Sequence, residues 1–170
     1  MTVKPGLRNL ALTAHVSASV GWLGAVVAFL MLAVAGLTSE DAQTVRAAYL
    51  TMELIGWYAL VPLALASLIT GMVQSLSTAW GLFRHYWVVF KLLINVFATI
   101  VLLTYIQTLG SLADVAADAR ADLDAVRSPS PLLHAGAALL LLLTATVLAV
   151  YKPRGLTPYG RRRRAARPRM

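Results

Sequence analysis

The side chains able to do chemistry in this chain are few: three histidines, seven carboxylates and no cysteine. Without cysteine there is no disulfide, thiolate metal ligand, iron–sulfur cluster, cysteine nucleophile or lipid attached at a thiol. His15 and His85 enter apolar runs from the same flank on different segments, which is the minimum arrangement for bis-histidine ligation of haem b. They are the candidate cofactor ligands, as the alternative to a leading expectation of no cofactor. Copper fits less well, because Met31, Met52 and Met72 stand apart and supply no soft ligand pair. Lys91, Asn95 and Thr99 recur every fourth residue and make one polar stripe on a helix. That stripe could line a transport or ion path. The blander alternative is that Lys91 snorkels to the headgroups while Asn95 hydrogen-bonds a neighbouring helix, at His15 or Ser19. Glu53 and His134 enter apolar runs from the opposite flank and form a candidate proton-sensitive pair. No Gly-x-Ser-x-Gly elbow, His-Glu-x-x-His or Gly-rich phosphate loop is present, so the expectation is a protein that is not an enzyme.

These residues hang on segments too apolar for a soluble core. The apolar fraction is 59% and the charged fraction 13%, against roughly 45–50% and 25% in soluble domains. Crossing a hydrocarbon layer of about 30 Å takes roughly 20 apolar residues as a helix. Four runs qualify: Ala11 to Leu37, Leu54 to Leu76, Trp87 to Leu109 and Leu132 to Tyr151. The predicted fold is therefore all-α, a bundle of four transmembrane helices over residues 1–151. The first run ends in Ala33-Val34-Ala35, a pattern that fits signal cleavage. Its length exceeds the 7 to 15 residues or so of a signal core, so an uncleaved first span is expected.

Charge decides orientation. Lys4, Arg8, Arg84, Lys91, Lys152, Arg154, Arg161 to Arg164, Arg167 and Arg169 gather on one flank without a single acid. Glu40, Asp41, Glu53, Asp114, Asp118, Asp122 and Asp124 gather on the other, with Arg46, Arg120 and Arg127. Basic loops stay in the cytoplasm, so both termini are expected there, in a multi-pass protein of the plasma (inner) membrane. The net charge of +8 then reflects membrane topology and not nucleic acid, which the near absence of aromatics among the arginines also disfavours. Residues 152–170 are expected to be a disordered basic tail whose Arg161, Arg162, Arg163 and Arg164 touch anionic lipid headgroups.

Outside the spans, Thr38-x-x-Asp41 has the form of a capping box, starting the second helix well before Leu54. Leu112, Val115, Ala119, Leu123 and Val126 recur at helical spacing, predicting an amphipathic outer helix with Asp114, Asp118 and Asp122 on its solvated face. Ser128-Pro129-Ser130-Pro131 should break it and begin the fourth span. Ser17, Gly21 and Ala25 in the first span, and Ser67, Gly71 and Ser75 in the second, are small-residue ridges suited to helix contact, within the chain or in a homo-oligomer. Pro62 should kink the second span. Trp57, Tyr58, Trp80, Tyr86 and Trp87 are expected as interfacial anchors, and Trp22 as a mid-membrane exception.

His15 followed by Gly21-Trp22-Leu23-Gly24-Ala25 resembles the first-span signature of bacterial copper-resistance-D-like membrane domains. With Gly81-Leu82-Phe83-Arg84-His85-Tyr86-Trp87 and Lys91, residues 8 to 110 look like a group of uncharacterised four-span actinobacterial proteins. The resemblance implies a four-helix membrane bundle and carries a copper-handling role only as far as His15. The leading functional expectation is a small non-enzymatic membrane subunit or scaffold with the bilayer and another membrane protein as partners. A haem or metal redox protein and a small transporter are the alternatives.

Overall fold

The computed structural model describes residues 5–78 and 81–165. It is all-helical: α1 (Pro5–Thr38), α2 (Ala42–Ile55), a π turn (Gly56–Leu60), α3 (Val61–Leu76), α4 (Tyr86–Ala117), a 3-10 turn (Leu123–Ala125), α5 (Ser130–Tyr151) and α6 (Pro158–Ala165). Among the described residues four stretches are long and apolar enough to cross a membrane: Gly6–Thr38, Ala42–Leu76, Tyr86–Ala117 and Ser130–Tyr151. Their outward faces carry Leu10, Met31, Leu76, Leu140 and Val150, all more than 60% exposed. A helix apolar on every side is stable only where its surroundings are apolar too.

The second span is continuous from Ala42, as the early helix start anticipated, but its cap differs from the expected box. Asp41 itself is the N-cap, accepting from the backbone N–H of Thr44 at 2.9 Å and from the Thr44 hydroxyl at 2.6 Å. Thr38 turns back to the Val34 carbonyl, 2.9 Å away, and closes α1 instead. The Thr44 hydroxyl, then the Thr44 backbone N–H, hold the Asp41 carboxyl below the usual carboxylate range. A lowered carboxyl pKa contributes in full above the ordinary carboxylate value and is lost as pH falls through the lowered one. Asp41→Ala is therefore expected to speed amide exchange at Gln43 and Thr44 at neutral pH, and acid should do the same to the native chain without further effect on the variant.

Pro62 acts one turn before itself. Its ring and missing N–H disturb the preceding turn, and the chain answers with the π turn, in which Val61 N–H reaches the Gly56 carbonyl five residues back. Gly56 makes the widened turn possible at close range. A Cβ there would lie 2.6 Å from Ile106 Cδ1 and 3.1 Å from Leu109 Cδ2.

The expected amphipathic outer helix is not formed. α4 carries Leu112 and Val115 but ends at Ala117, and residues 118–129 fold as turns around the short 3-10 segment. Two causes are visible. Asp118 and Asp122 accept from the backbone N–H two residues on, at Arg120 and Asp124, at 2.9 and 3.0 Å, and such local bonds compete with helix. Arg46 on α2 also spreads its guanidinium over the carbonyls of Ala116, Asp118, Ala119 and Ala121, taking the acceptors a longer helix would need. Asp114, Asp118 and Asp122 thus share no helical face. Beneath them Tyr49 donates to the Val126 carbonyl, and Val45, Met52 and Leu109 pack fully buried around it. Pro131 stands in the first turn of α5, as its position suggested.

The tail also departs from expectation over its described part. Residues 152–165 are folded: Leu156 bridges His85, Tyr86 N–H donates to Gly155 O at 3.3 Å and Thr157 N–H to Arg84 O at 3.1 Å. Thr157, almost fully buried, donates its hydroxyl to Phe83 O at 2.5 Å and accepts from Gly160 N–H at 3.1 Å, capping α6. Three carbonyls, of Phe83, Arg84 and Gly155, and three N–H groups, of Tyr86, Thr157 and Gly160, find partners here that water would otherwise supply. Residues 166–170 and Trp80 lie outside the described residues, as does Lys4. Trp57 and Tyr58 are exposed and Tyr86 is half-exposed, but Trp87 is turned into the bundle and is no anchor.

The docking of α6 depends on Gly160, where a Cβ would stand 2.3 Å from the Arg84 carbonyl oxygen. Backbone cannot yield as a side chain does. Gly160→Ala is expected to lift α6 off the 81–86 loop, which limited proteolysis would register as faster cleavage near Arg154, with the four spans unaffected.

Candidate functional site

Of the polar residues predicted to matter, His15 and Lys91 meet at one point in the bundle. α1 and α3 make the most extensive helix contact, because small residues meet large ones along it: Gly21 receives Leu63, and Gly71 receives the His15 ring, whose Cε1 would lie 3.0 Å from a Cβ there. Ser67 and Gly71, two of the three ridge residues read from the second span, therefore face α1. Ser19 and Ser67 join their hydroxyls at 2.8 Å. One turn away, His15 Nδ1 lies 3.1 Å from the Ser67 carbonyl and 3.2 Å from the Thr70 hydroxyl oxygen. Thr70 spends its own proton on the Ala66 carbonyl at 2.5 Å.

This arrangement assigns the imidazole tautomer. A carbonyl oxygen only accepts, so the proton of His15 sits on Nδ1 and the lone pair on Nε2. Nε2 is met by Lys91 Nζ of α4 at 3.1 Å. An ammonium and an imidazolium would confront each other with donors on both sides, so one proton is shared along this contact. His15 is 7% exposed and Lys91 half-buried. Lys91 thus points inward to a partner and does not snorkel outward. Asn95 and Thr99 follow on the same face of α4, both buried, with the Thr99 hydroxyl on the Asn95 carbonyl at 2.7 Å. The neighbours foreseen for Asn95 are bonded elsewhere, His15 to Ser67, Thr70 and Lys91, and Ser19 to Ser67.

His15 and His85 have different settings. Both ring nitrogens of His15 are engaged inside the bundle, so ligation through Nε2 would require Lys91 to let go. His85 is the N-cap residue of α4 and lines a basic cavity with Arg84, Arg154 and Arg164. Among the described residues no three of His, Asp and Glu come together to hold a metal ion.

On the opposite side His134 and Glu53 do not pair. His134 stacks on Tyr105, ring centroids 3.9 Å apart and planes 15° apart, and its Nδ1 donates to the Ser130 carbonyl at 2.8 Å. Glu53 instead faces α4, its Oε1 3.5 Å from where a Gly110 Cβ would be. Tyr105 and His134 border an apolar cavity of about 200 Å³ between α1, α4 and α5, lined also by Trp22, Phe29, Phe97 and Leu109. Arg161 to Arg164 are exposed on α6, with Arg163 5.6 Å from the Tyr159 ring centroid.

Three participants escaped the sequence reading. Thr70 stands three residues after Ser67 on the same helical face, which was a legible signal. Thr157-Pro158 has the form of an N-cap followed by proline at the first helical position. Arg46, a lone base among acids, gave no hint that it would collect carbonyls. No family model, curated protein or solved structure matches the chain.

Proposed function

We propose that this chain is a polytopic plasma-membrane protein with both termini in the cytoplasm, acting without catalysis as a subunit or scaffold within a homo-oligomer or beside another membrane protein. The observation that supports this is the closure of the His15 centre: Nδ1 and Nε2 are each bonded to groups of the protein itself. A polar centre so satisfied holds three helices in one register, which is the use interhelical hydrogen bonds have where the hydrophobic effect offers little. The first-span motif that resembles copper-resistance-D-like domains supplies His15 to this centre.

Orientation rests on the acid-free basic flank. The loop carrying Arg84 is joined to the segment carrying Arg154, and Arg46 to the 116–121 turn, so the basic loops cluster together and the acidic ones apart from them. Positive-inside sorting then puts the basic cluster in the cytoplasm.

The test is a visible spectrum of protein purified in mild detergent from cells supplied with haem precursor, beside His15→Ala and His85→Ala, together with reporter fusions at residues 40, 80 and 120. No Soret band in folded protein, with the 80 fusion cytoplasmic and the others outside, is the expected result. A band lost in either variant would replace the scaffold reading with a haem protein.

A further inference from the structure

The cavity between α1, α4 and α5 has a shape and a polar end that select a ligand. Trp22, Val26 and Phe29 of α1 form its floor and are buried, while Phe97 of α4 stands at its lip, 58% exposed. The opening therefore faces outward between α4 and α5, where a bilayer places its hydrocarbon. The wall runs from Tyr105 to Phe97 along α4 and from His134 to Leu141 along α5, rises of about 12 and 10 Å. A volume of about 200 Å³ drawn out over that length has a mean section of about 20 Å². Space of this kind admits one hydrocarbon chain and not a fused ring system. It is also larger than the roughly 150 Å³ that holds a benzene molecule in a dry protein core, and lining atoms without partners forfeit dispersion energy until something fills the gap. We infer that the cavity binds the chain of a free fatty acid, with the carboxyl held by Tyr105 and His134.

The carboxyl follows from what those two residues leave unused. Tyr105 accepts from the Ser130 hydroxyl at 3.2 Å, which leaves its own O–H to donate. His134 donates from Nδ1 to the Ser130 carbonyl at 2.8 Å, which leaves the Nε2 lone pair to accept. Among the described residues no group takes up either one. The stacked rings, centroids 3.9 Å apart, keep this donor and this acceptor together at one end of the cavity, away from Phe97 and Leu141. A carboxylic acid presents the matching pair on two separate oxygens, a C=O that accepts and an O–H that donates. An ester offers acceptors alone, and an alcohol must serve both partners from a single oxygen. The match survives transfer of the acid's proton to Nε2, because the imidazolium then donates to a carboxylate that still accepts from Tyr105. His134 lies four residues into α5, about 6 Å from its start, so the carboxyl stays near the headgroup level while the chain runs inward toward Trp22. The inference rests on the four spans lying in lipid and is independent of the scaffold reading, since none of His15, Ser67, Thr70 and Lys91 borders this cavity.

The experiment uses Trp22 as reporter. The intact chain in maltoside micelles is titrated with stearic acid brominated at mid-chain, which quenches tryptophan at close range, and the quenching in excess of that shown by Trp22→Phe is taken as occupancy. Unlabelled stearic acid, its methyl ester and stearyl alcohol then compete with it. The acid is expected to displace the probe at concentrations about threefold to tenfold below those of the ester or the alcohol, and Tyr105→Phe and His134→Phe each to weaken the acid by a similar factor, the loss of one hydrogen bond. Ala138→Phe, which puts a ring into the cavity from its α5 wall, is expected to weaken it about tenfold or more. No excess quenching of the intact chain, or undiminished quenching of Ala138→Phe, overturns the site. Competition by the ester or the alcohol as strong as by the acid, or unchanged affinity in both Tyr105→Phe and His134→Phe, overturns the carboxyl and with it the fatty acid. Should Ala138→Phe melt early, the smaller filling Ala138→Leu carries the same comparison.

Discussion

His15→Leu is expected to destabilise the protein by about 3 kcal/mol, and Lys91→Met by only about 1 kcal/mol. Removing the imidazole leaves the half-buried Lys91 ammonium turned into the bundle beside α1 and α3 with its acceptor gone, and a charge left without its partner in a partly dry setting is costly. Removing the ammonium leaves a neutral imidazole that still donates from Nδ1 to the Ser67 carbonyl, so only one interhelical bond is lost. The asymmetry has a consequence for the pair. His15→Leu/Lys91→Met should be more stable than His15→Leu alone, because the second change removes the charge the first one stranded. Unfolding of the four proteins in detergent, by mixed-micelle titration or thermal melt, gives the cycle directly. Losses that simply add would mean that the 3.1 Å contact carries no coupling and that Lys91 is held by something else.

Arg46→Met should cost about 3 kcal/mol and act at the opposite end of the bundle. One guanidinium serves four carbonyls of the turn after α4, and charge-assisted bonds of this kind contribute roughly 1.5–3 kcal/mol each before water takes their place. Arg46→Lys should recover little, since an ammonium is a compact point charge and cannot span four acceptors as a planar fork does. Hydrogen exchange locates the effect: amides of residues 116–126 should lose protection, along with the Tyr49 contact to Val126, while the His15 centre keeps its own. Uniform loss across all four spans would instead make Arg46 a general stabiliser and not the clasp of this turn.

Much of the fold was legible along the chain. Spans of continuous apolar residues have one solution in lipid, since only a helix satisfies its own backbone there, and the four stretches appear where hydropathy put them. Pro62 announced its disturbance and Pro131 its helix start, because both act through their own ring and missing N–H. Where prediction failed, side chains had overruled local pattern. Residues 112–126 carry a sound helical period, yet Arg46, some 70 positions earlier, and the Asp118 and Asp122 side chains draw the backbone into turns. The composition of residues 152–165 reads as disorder, yet the segment folds because a neighbouring loop supplies the partners its backbone lacks.

The functional residues divide in the same way. Sequence alone determined that His15 and Lys91 are candidates, since ionisable side chains inside apolar spans are costly and few. It could not determine that they belong to each other. Sequence pattern sets His15 with His85 and Lys91 with Asn95, because spacing orders residues along one helix and says nothing about which helix stands opposite. That choice fell to the packing of α1 on α3, where Gly71 lets the imidazole come close, and of α4 beside them, where Lys91 completes its second hydrogen bond. Helical period is a property of the chain, and partnership is a property of the bundle.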